Sequence, residues 1–359
     1  VNHPASLLLI DKPEGVTSHA VVALARRVLG EKRIGHLGTL DPFASGLLPL
    51  LIGGMTRLSD LLMDGDKSYL FTLSLGTETD TLDPSGQTVA TAGVPQGLNS
   101  ATLDTVLQKF RGTIEQVPPA YSALKHQGRP LYEYMRTQGQ LGFDLNEKKR
   151  SVVLHHLIDR TASDDYAKGI LTLEVVCSKG TYIRSLARDI AHTLGTVGHC
   201  ARLRRLAVGN FQVSSAAVVL LEDMAKTRQN PPDQGTLAEL QRSFREHVLP
   251  VKRACEQAGL DLPWFHINGS EPWAPTQVRE RLNAGNRVLV ESPLAEDFFR
   301  RQLPTLAEGS GSSDFMCFVQ TPERLFLARL VHGRATSIEP IKLVEATPPP
   351  RPTIRDEKK

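Results

Sequence analysis

The sequence predicts an α+β protein, and three patterns predict it. Residues 69–75 and 170–177 alternate apolar and polar side chains with a period of two, the mark of half-buried strands. Between such runs, apolar residues return at helical spacing, bounded by Ser or Thr at the start and Gly at the end. Beyond about residue 250 the texture changes to short β-like runs, which reads as a small β-rich module.

At 359 residues the chain suffices for one large domain and a smaller one. An apolar fraction of 40% and a charged fraction of 23% are those of an ordinary soluble globular protein. The formal charge is only +3, but its distribution is uneven. Lys179, Arg184, Arg188, Arg202, Arg204 and Arg205 face Asp189 alone over their stretch, and Arg26, Arg27, Lys32 and Arg33 face Glu31. Such patches fit a phosphate backbone or a solvated protein face. Cys177, Cys200, Cys255 and Cys317 form no CxxC pair and fit buried thiols in a reducing compartment, not a zinc site. No run of eighteen apolar residues and no basic-then-apolar leader occurs, so a cytoplasmic protein without membrane association is expected.

Taken in order, Leu7–Ile10 is an apolar run closed by the Asp11–Gly15 turn, and Thr17 or Ser18 caps a helix through Val21, Val22, Ala25, Val28 and Leu29 to Gly30. The stretch from Gly35 to Pro49 holds three glycines, two prolines and a single acid, Asp41. Its backbone has little freedom, and apolar residues stand where a surface turn would be polar, so it reads as the wall of a closed pocket. Tyr69, Phe71, Leu73 and Leu75 share one face of the next strand. The acidic segment Gly76–Gly86 reads as a solvated loop, since its spacing misses the calcium-loop pattern. A helix from Thr102 to Phe110, the extended segment Pro118–Lys125 and a short helix over Tyr132–Arg136 follow. Strands are expected over Val152–Ile158 and Gly169–Cys177, then a helix capped by Thr181 and buried through Ile183, Leu186, Ala187, Ile190 and Leu194. Arg184 falls in its first turn, where a cation opposes the helix dipole, so an anionic partner is expected. A further helix is expected from Phe211 to about Met224, with a domain boundary between Thr227 and Pro250. Farther on, Gln277–Leu282 reads as a helix, while Val288–Val290, Met316–Val319 and Leu325–Leu330 read as strands.

No GxSxG, Walker A, HExxH, dinucleotide or zinc-deaminase pattern occurs. Glu115 or Asp189 could supply a second carboxylate near Asp41. Otherwise the ingredients describe a single-carboxylate enzyme: Asp41 as nucleophile or base, Arg184 as electrostatic partner and Tyr69 as a stacking surface. Stacking beside a basic surface suits an extruded base.

Gly35-His36-x-Gly38-Thr39-Leu40-Asp41-Pro42 resembles the catalytic motif of the TruB-type tRNA pseudouridine synthases, which isomerise the uridine at tRNA position 55. Ile10-Asp11-Lys12-Pro13-x-Gly15-x-Thr17-Ser18, Lys67-x-Tyr69, Pro118-Pro119-x-Tyr121-Ser122-Ala123-Leu124-Lys125, Ser178–Leu186 and Leu203-Arg204-Arg205 resemble the family's other motifs, in the family's order. Together they span about Leu7 to Phe211.

The resemblance implies a mixed β-sheet flanked by helices over residues 1–245 and a PUA-like RNA-binding module over 246–346, and the proline- and charge-rich composition of 347–359 reads as a disordered tail. It implies Asp41 as the nucleophilic carboxylate, Tyr69 stacking on the flipped base, and Arg184 pairing with Asp41 and a phosphate. Tyr182 and Leu203 would line the pocket. Lys12, Pro13, His36, Lys125, Arg202, Arg204 and Arg205 would face the RNA. The partner implied is the T-arm stem-loop of tRNA, with no metal, no organic cofactor and no obligate protein partner, and a monomer is expected. The similarity to a PUA module is loose: Thr321-Pro322-Glu323-Arg324 replaces the usual glycine-rich turn, and an insertion occupies Leu303–Asp314. Two other readings are an RNA-binding or tRNA-folding protein without essential catalysis, and a synthase of the same superfamily acting on another RNA.

Overall fold

The computed structural model describes residues 5–63, 65–215, 218–220, 234–259, 264–266, 314–320, 325–331 and 334–341. The chain divides into two compact units, the larger made of Leu7–Leu51 and Leu58–Gly259. The sequence analysis set that boundary at residue 245.

In the larger unit, β1 (Ser6–Lys12) turns into α1 (Ser18–Leu29). Thr17 caps α1 by accepting the Ala20 N–H, and Gly30 closes it in the left-handed region at φ +66°, which only glycine enters without strain. Its expected apolar stripe, Val21, Val22, Ala25, Val28 and Leu29, is buried. Strands β2 (Ile34–His36) and β3 (Ser45–Ile52) bracket the loop that carries Asp41. After α2 (Ser59–Met63), β4 (Lys67–Leu75) buries every second residue, as its alternation requires. The hairpin β5 (Thr77–Thr79) and β6 (Thr88–Thr91) precedes α3 (Ser100–Leu107) and β7 (Gly112–Gln116). Next come β8 (Lys125–His126), β9 (Arg129–Pro130) and α4 (Leu131–Gln138). Strands β10 (Arg150–Asp159) and β11 (Ile170–Cys177), helix α5 (Ile183–Thr193) and β12 (Gly198–Val208) complete the framework. Shorter pieces follow: β13 (Phe211–Gln212), β14 (Val218–Leu220), α6 (Gln234–His247), β15 (Leu249–Pro250) and α7 (Val251–Gln257).

One sheet runs β14-β1-β3-β12-β4-β11-β10-β7, with β2 beside β3, β13 beside β12 and β15 beside β1. It is mixed: β1 pairs β14 and β3 pairs β12 in parallel, while each successive pair along β12-β4-β11-β10-β7 is antiparallel. Helix α5 packs on β12 and β4, and α3 on β10. The α+β architecture of a helix-flanked mixed sheet is therefore the one expected. Its centre is the buried face of β4 and β11, where Phe71, Leu73, Leu171, Leu173 and Val175 are at most 1% exposed. Each such side chain stabilises the fold by about 1.5–3 kcal/mol.

Strands β16 (Trp264–His266), β17 (Asp314–Gln320), β18 (Leu325–Val331) and β19 (Arg334–Ile341) form a separate sheet in that order, parallel at the first pairing and antiparallel after it. The runs at Met316–Val319 and Leu325–Leu330 fall within it. The readings at Gln277–Leu282, Val288–Val290, 303–313, 321–324 and the tail lie outside the described residues.

Two element readings need correction. Where a helix was expected from Phe211 onward, β13 and β14 add strands to the sheet. Their apolar residues satisfy sheet pairing as well as helical spacing, and a short apolar run cannot separate the two. The supposed solvated loop Gly76–Gly86 contains β5 and turns inward at Leu82, 6% exposed with φ +59°, and at Asp83, 5% exposed.

Candidate active site

Asp41 is positioned by the turn that precedes α1. The Gly15 N–H donates to the Pro42 carbonyl at 2.7 Å. The Ser18 hydroxyl accepts the Leu40 N–H at 2.8 Å and donates to the Leu40 carbonyl at 3.0 Å. Within the loop, the Ala44 N–H donates to the Asp41 carbonyl at 3.1 Å. Beneath it lies Lys12, fully buried, whose Nζ donates to the carbonyls of Pro13, Val16 and Ala44. A buried ammonium is tolerable only when converging acceptors replace its water, and these three do so.

Arg205 supports the loop from the other strand. It is 1% exposed, and its Nε donates to the Leu47 carbonyl at 2.7 Å and its Nη2 to the Gly38 carbonyl at 3.0 Å. β3 lies so close that a Cβ on Gly46 would stand 2.2 Å from the Arg205 carbonyl oxygen, so only glycine permits the pairing Arg205↔Gly46. Lys12 and Arg205 were expected at the RNA surface. Burial contradicts that reading for both, because their charges are spent on backbone carbonyls of the pocket wall.

Arg184, 4% exposed in the first turn of α5, meets Asp41 directly, with Nε 2.8 Å from Oδ2. Its Nη1 donates to the Thr81 carbonyl at 2.8 Å and lies 3.5 Å from Asp83 Oδ2, and its Nη2 donates to the Tyr121 carbonyl at 3.0 Å. Asp83 is itself oriented by the Thr81 hydroxyl at 2.8 Å and the Ser85 N–H at 2.9 Å. The anionic partner that its helix position called for is thus a pair of carboxylates, Asp41 and Asp83. Of the second carboxylates considered from sequence, Glu115 is exposed on β7 and Asp189 pairs with Arg188 at 2.7 Å.

Helix α5 starts without the expected Thr181 cap. The Thr181 hydroxyl donates to Ser178 instead, and Tyr182 occupies the cap position with no side-chain hydrogen bond there. Gln116, fully buried at the end of β7, instead anchors the residue that precedes the helix: its Oε1 accepts the Tyr182 N–H at 2.7 Å and its Nε2 donates to the Tyr182 carbonyl at 3.0 Å. The Ser185 hydroxyl adds a bond to the Val117 carbonyl at 2.7 Å.

These residues enclose a cavity of about 240 Å3, lined by Asp41, Tyr69, Ser122, Tyr182, Arg184 and Leu203 among others. Tyr69 on β4 faces Arg205 across the strand pairing and is 9% exposed. Burial raises the Tyr69 pKa, so its hydroxyl stays protonated, though the Arg205 guanidinium works against the shift. Desolvation also raises the Asp41 pKa. Arg184 opposes that rise and Asp83 adds to it. The side chain nevertheless keeps a third of its surface open to the cavity. Arg184 is therefore one influence of several on Asp41, and burial outweighs it.

The remaining expected residues spread out. His36 is partly buried, with Nδ1 lacking a hydrogen-bond partner and its pKa lowered by burial and then by Arg205. Pro13 is half-buried beside Lys12, while Lys125 and Arg202 are exposed. Arg204 is half-buried and forms a two-pronged ion pair with Asp11 at 2.6 and 3.0 Å. Asp83 and Gln116 were missed. An apolar Leu82 inside a polar loop was the one available signal for Asp83, and Gln116 left none. Among the described residues no His, Cys, Asp and Glu cluster could hold a metal, and no helix is long and apolar enough to cross a membrane.

Residues 26–183 match the model of the TruB family pseudouridylate synthase N-terminal domain, and residues 184–256 match that of the tRNA pseudouridylate synthase B C-terminal domain. A protein of Hydrogenovibrio crunogenus named tRNA pseudouridine synthase B is 47% identical over 322 residues, covering 89% of this chain and 93% of that one. One of Actinobacillus pleuropneumoniae with the same name is 40% identical over 250 residues, 70% of this chain and 75% of that one. Among solved structures, a chain of a Cbf5-Nop10-Gar1 complex superposes with a TM-score of 0.53 at 22% identity, over 96% of this chain and 84% of that one, a likeness of fold. With two consecutive domain models and a relative matched over nearly its whole length, the chain belongs to the TruB family of pseudouridylate synthases.

Proposed function

We propose that the protein isomerises uridine to pseudouridine in tRNA, at position 55 of the T-loop, by flipping the target base into the Asp41 cavity. The observation that carries this reading is the Asp41–Arg184 pair at 2.8 Å in a cavity walled by Tyr69, Tyr182 and Leu203. The reaction breaks the C1′–N1 bond, joins C1′ to C5, removes the proton from C5 and returns one to N1, so substrate and product are isomers. Asp41 is the nucleophilic carboxylate. Arg184 keeps it aimed, and the desolvation that raises its pKa also strengthens it as a nucleophile. Tyr69, held neutral, offers its ring to the base and its hydroxyl as a proton donor. Apolar walls keep water from the detached ring.

The exposed cations Lys125 and Arg202 suit the T-arm backbone, with His36 and Pro13 beside the entering loop. Residues 246–346 are read as a PUA-like RNA-binding module. The protein acts in the cytoplasm as a monomer, without an obligate protein partner. The test is a tRNA transcript carrying tritium at uridine C5, with pseudouridine mapped by position after incubation. Release mapping to position 55, and none from a transcript lacking that uridine, is the expected result. Release at another uridine would move the substrate, and no release would overturn the assignment.

A further inference from the structure

Arg150 is the first residue of β10, paired in register with Gln116 of β7. This one cross-strand pair brackets Tyr182. Gln116 holds the tyrosine backbone through two short hydrogen bonds, and the Arg150 guanidinium lies 5.2 Å from the centre of its ring. Gly180, at φ +83°, permits the approach: a Cβ there would come within 3.2 Å of Arg150 Nη1. Yet the guanidinium is poorly satisfied. Its Nε is buried without a hydrogen-bond partner, Nη1 makes one long bond of 3.5 Å to the Gly180 carbonyl, and no carboxylate pairs with it among the described residues. By contrast, Arg184 is met by four acceptors, Arg205 by two carbonyls and Arg204 by the Asp11 carboxylate. Gly180 and Tyr182, which Arg150 touches, are themselves part of the cavity wall, and Lys179 beside them is exposed.

An arginine stacked on an aromatic ring with its donors unspent is arranged to accept a bidentate anion, and RNA entering this cavity offers phosphates. We infer that Arg150 takes a backbone phosphate adjoining the flipped uridine and, by the same contact, holds the Tyr182 ring over the base. This rests on the function proposed above. Because Gln116 fixes the Tyr182 backbone independently, loss of Arg150 frees the ring while leaving Arg184 in place. Arg150 is therefore a substrate-binding residue that also positions Tyr182.

The test combines R150A and R150K with T-arm stem-loops carrying a single neutral methylphosphonate at each phosphate flanking the target uridine. Binding and single-turnover pseudouridine formation are both measured. One methylphosphonate is expected to weaken wild-type binding by about 10-fold, as is R150A on the unmodified RNA. Combining the two should add nothing further, and R150A should lower the slope of log affinity against log salt by about one. R150K should keep the salt slope but lose single-turnover rate, because it cannot stack and fork together. Fully additive losses would overturn the inference, as would wild-type binding indifferent to every flanking methylphosphonate, a result that needs no variant to fold. Wild-type protein that binds the stem-loop but forms no pseudouridine would sink the proposed function instead, and the phosphate cycle would still be readable.

Discussion

Asp41 and Arg184 come from separate parts of the chain, and the two are held by different kinds of structure. The carboxylate sits on a loop tied to the core: Lys12 and Arg205, at most 1% exposed, spend their charges on its carbonyls, and Ser18 locks Leu40 from the helix. The guanidinium is held by two connecting segments, through the Thr81 and Tyr121 carbonyls and Asp83. On the first side, holding the carboxylate and holding the fold are the same task. On the second, the contacts aim one side chain and carry little of the core. Damage to the first side should therefore appear mainly as lost stability, and damage to the second mainly as lost rate.

The largest effect expected on the guanidinium side is that of R184K. A lysine cannot reach Asp41, Asp83 and two carbonyls with one ammonium, so single-turnover rate should fall on the order of 100- to 1000-fold. Thermal midpoint should move much less, and a loss of folding that matches the loss of rate would break the comparison.

K12M probes the other side. It leaves three buried carbonyls without their donor and should lower unfolding free energy by about 2–3 kcal/mol in urea titrations. An unchanged midpoint with lost activity would reverse the assignment of roles.

D83N sharpens the contrast through pH. The Asp83 charge helps raise the Asp41 pKa, so its removal should lower that pKa. Activity requires ionised Asp41 and is lost as pH falls through its folded-state value, so the acid limb of the kcat/KM profile should move to lower pH. The rate on the plateau should drop about 10- to 100-fold as Arg184 loses one of its anchors. An acid limb that stays in place would show that Asp83 does not act on Asp41. Q116A is expected to have the smallest effect, about 1–2 kcal/mol of stability, from the Tyr182 N–H left unpaired, since the Tyr182 carbonyl keeps its bond from the Leu186 N–H.

Much of this arrangement was legible in the sequence. The alternation over 69–75 and 170–177, the Thr17 cap and Gly30 stop of α1, and the Asp41 loop all express local rules: side-chain period, capping and backbone freedom. Arg184 was legible for the same kind of reason, as a cation where the helix dipole disfavours one. What stayed hidden depends on distant groups converging. Lys12 and Arg205 read as surface cations, because carbonyls carry no sequence signature and their convergence exists only in the fold. Asp83 read as solvated because its partner, Arg184, lies about a hundred residues away in the chain. Thr181 read as a helix cap, while the start of the helix is anchored through the Tyr182 backbone by Gln116 from another strand.

The sharpest test of the account is D41N, with tRNA affinity and single-turnover pseudouridine formation measured on the same samples. Asp41 has a raised folded-state pKa, so its contribution to stability is fully present below its ordinary value of 3.8 and is lost as pH rises through the folded value. At neutral pH the variant should accordingly be at least as stable as wild type. The expected result is a folded protein that binds tRNA within a few-fold of wild type while its rate falls by roughly 1000-fold or more. A D41N protein that forms pseudouridine within about 10-fold of the wild-type rate would contradict the account, because no other carboxylate among the cavity-lining residues could replace the one removed.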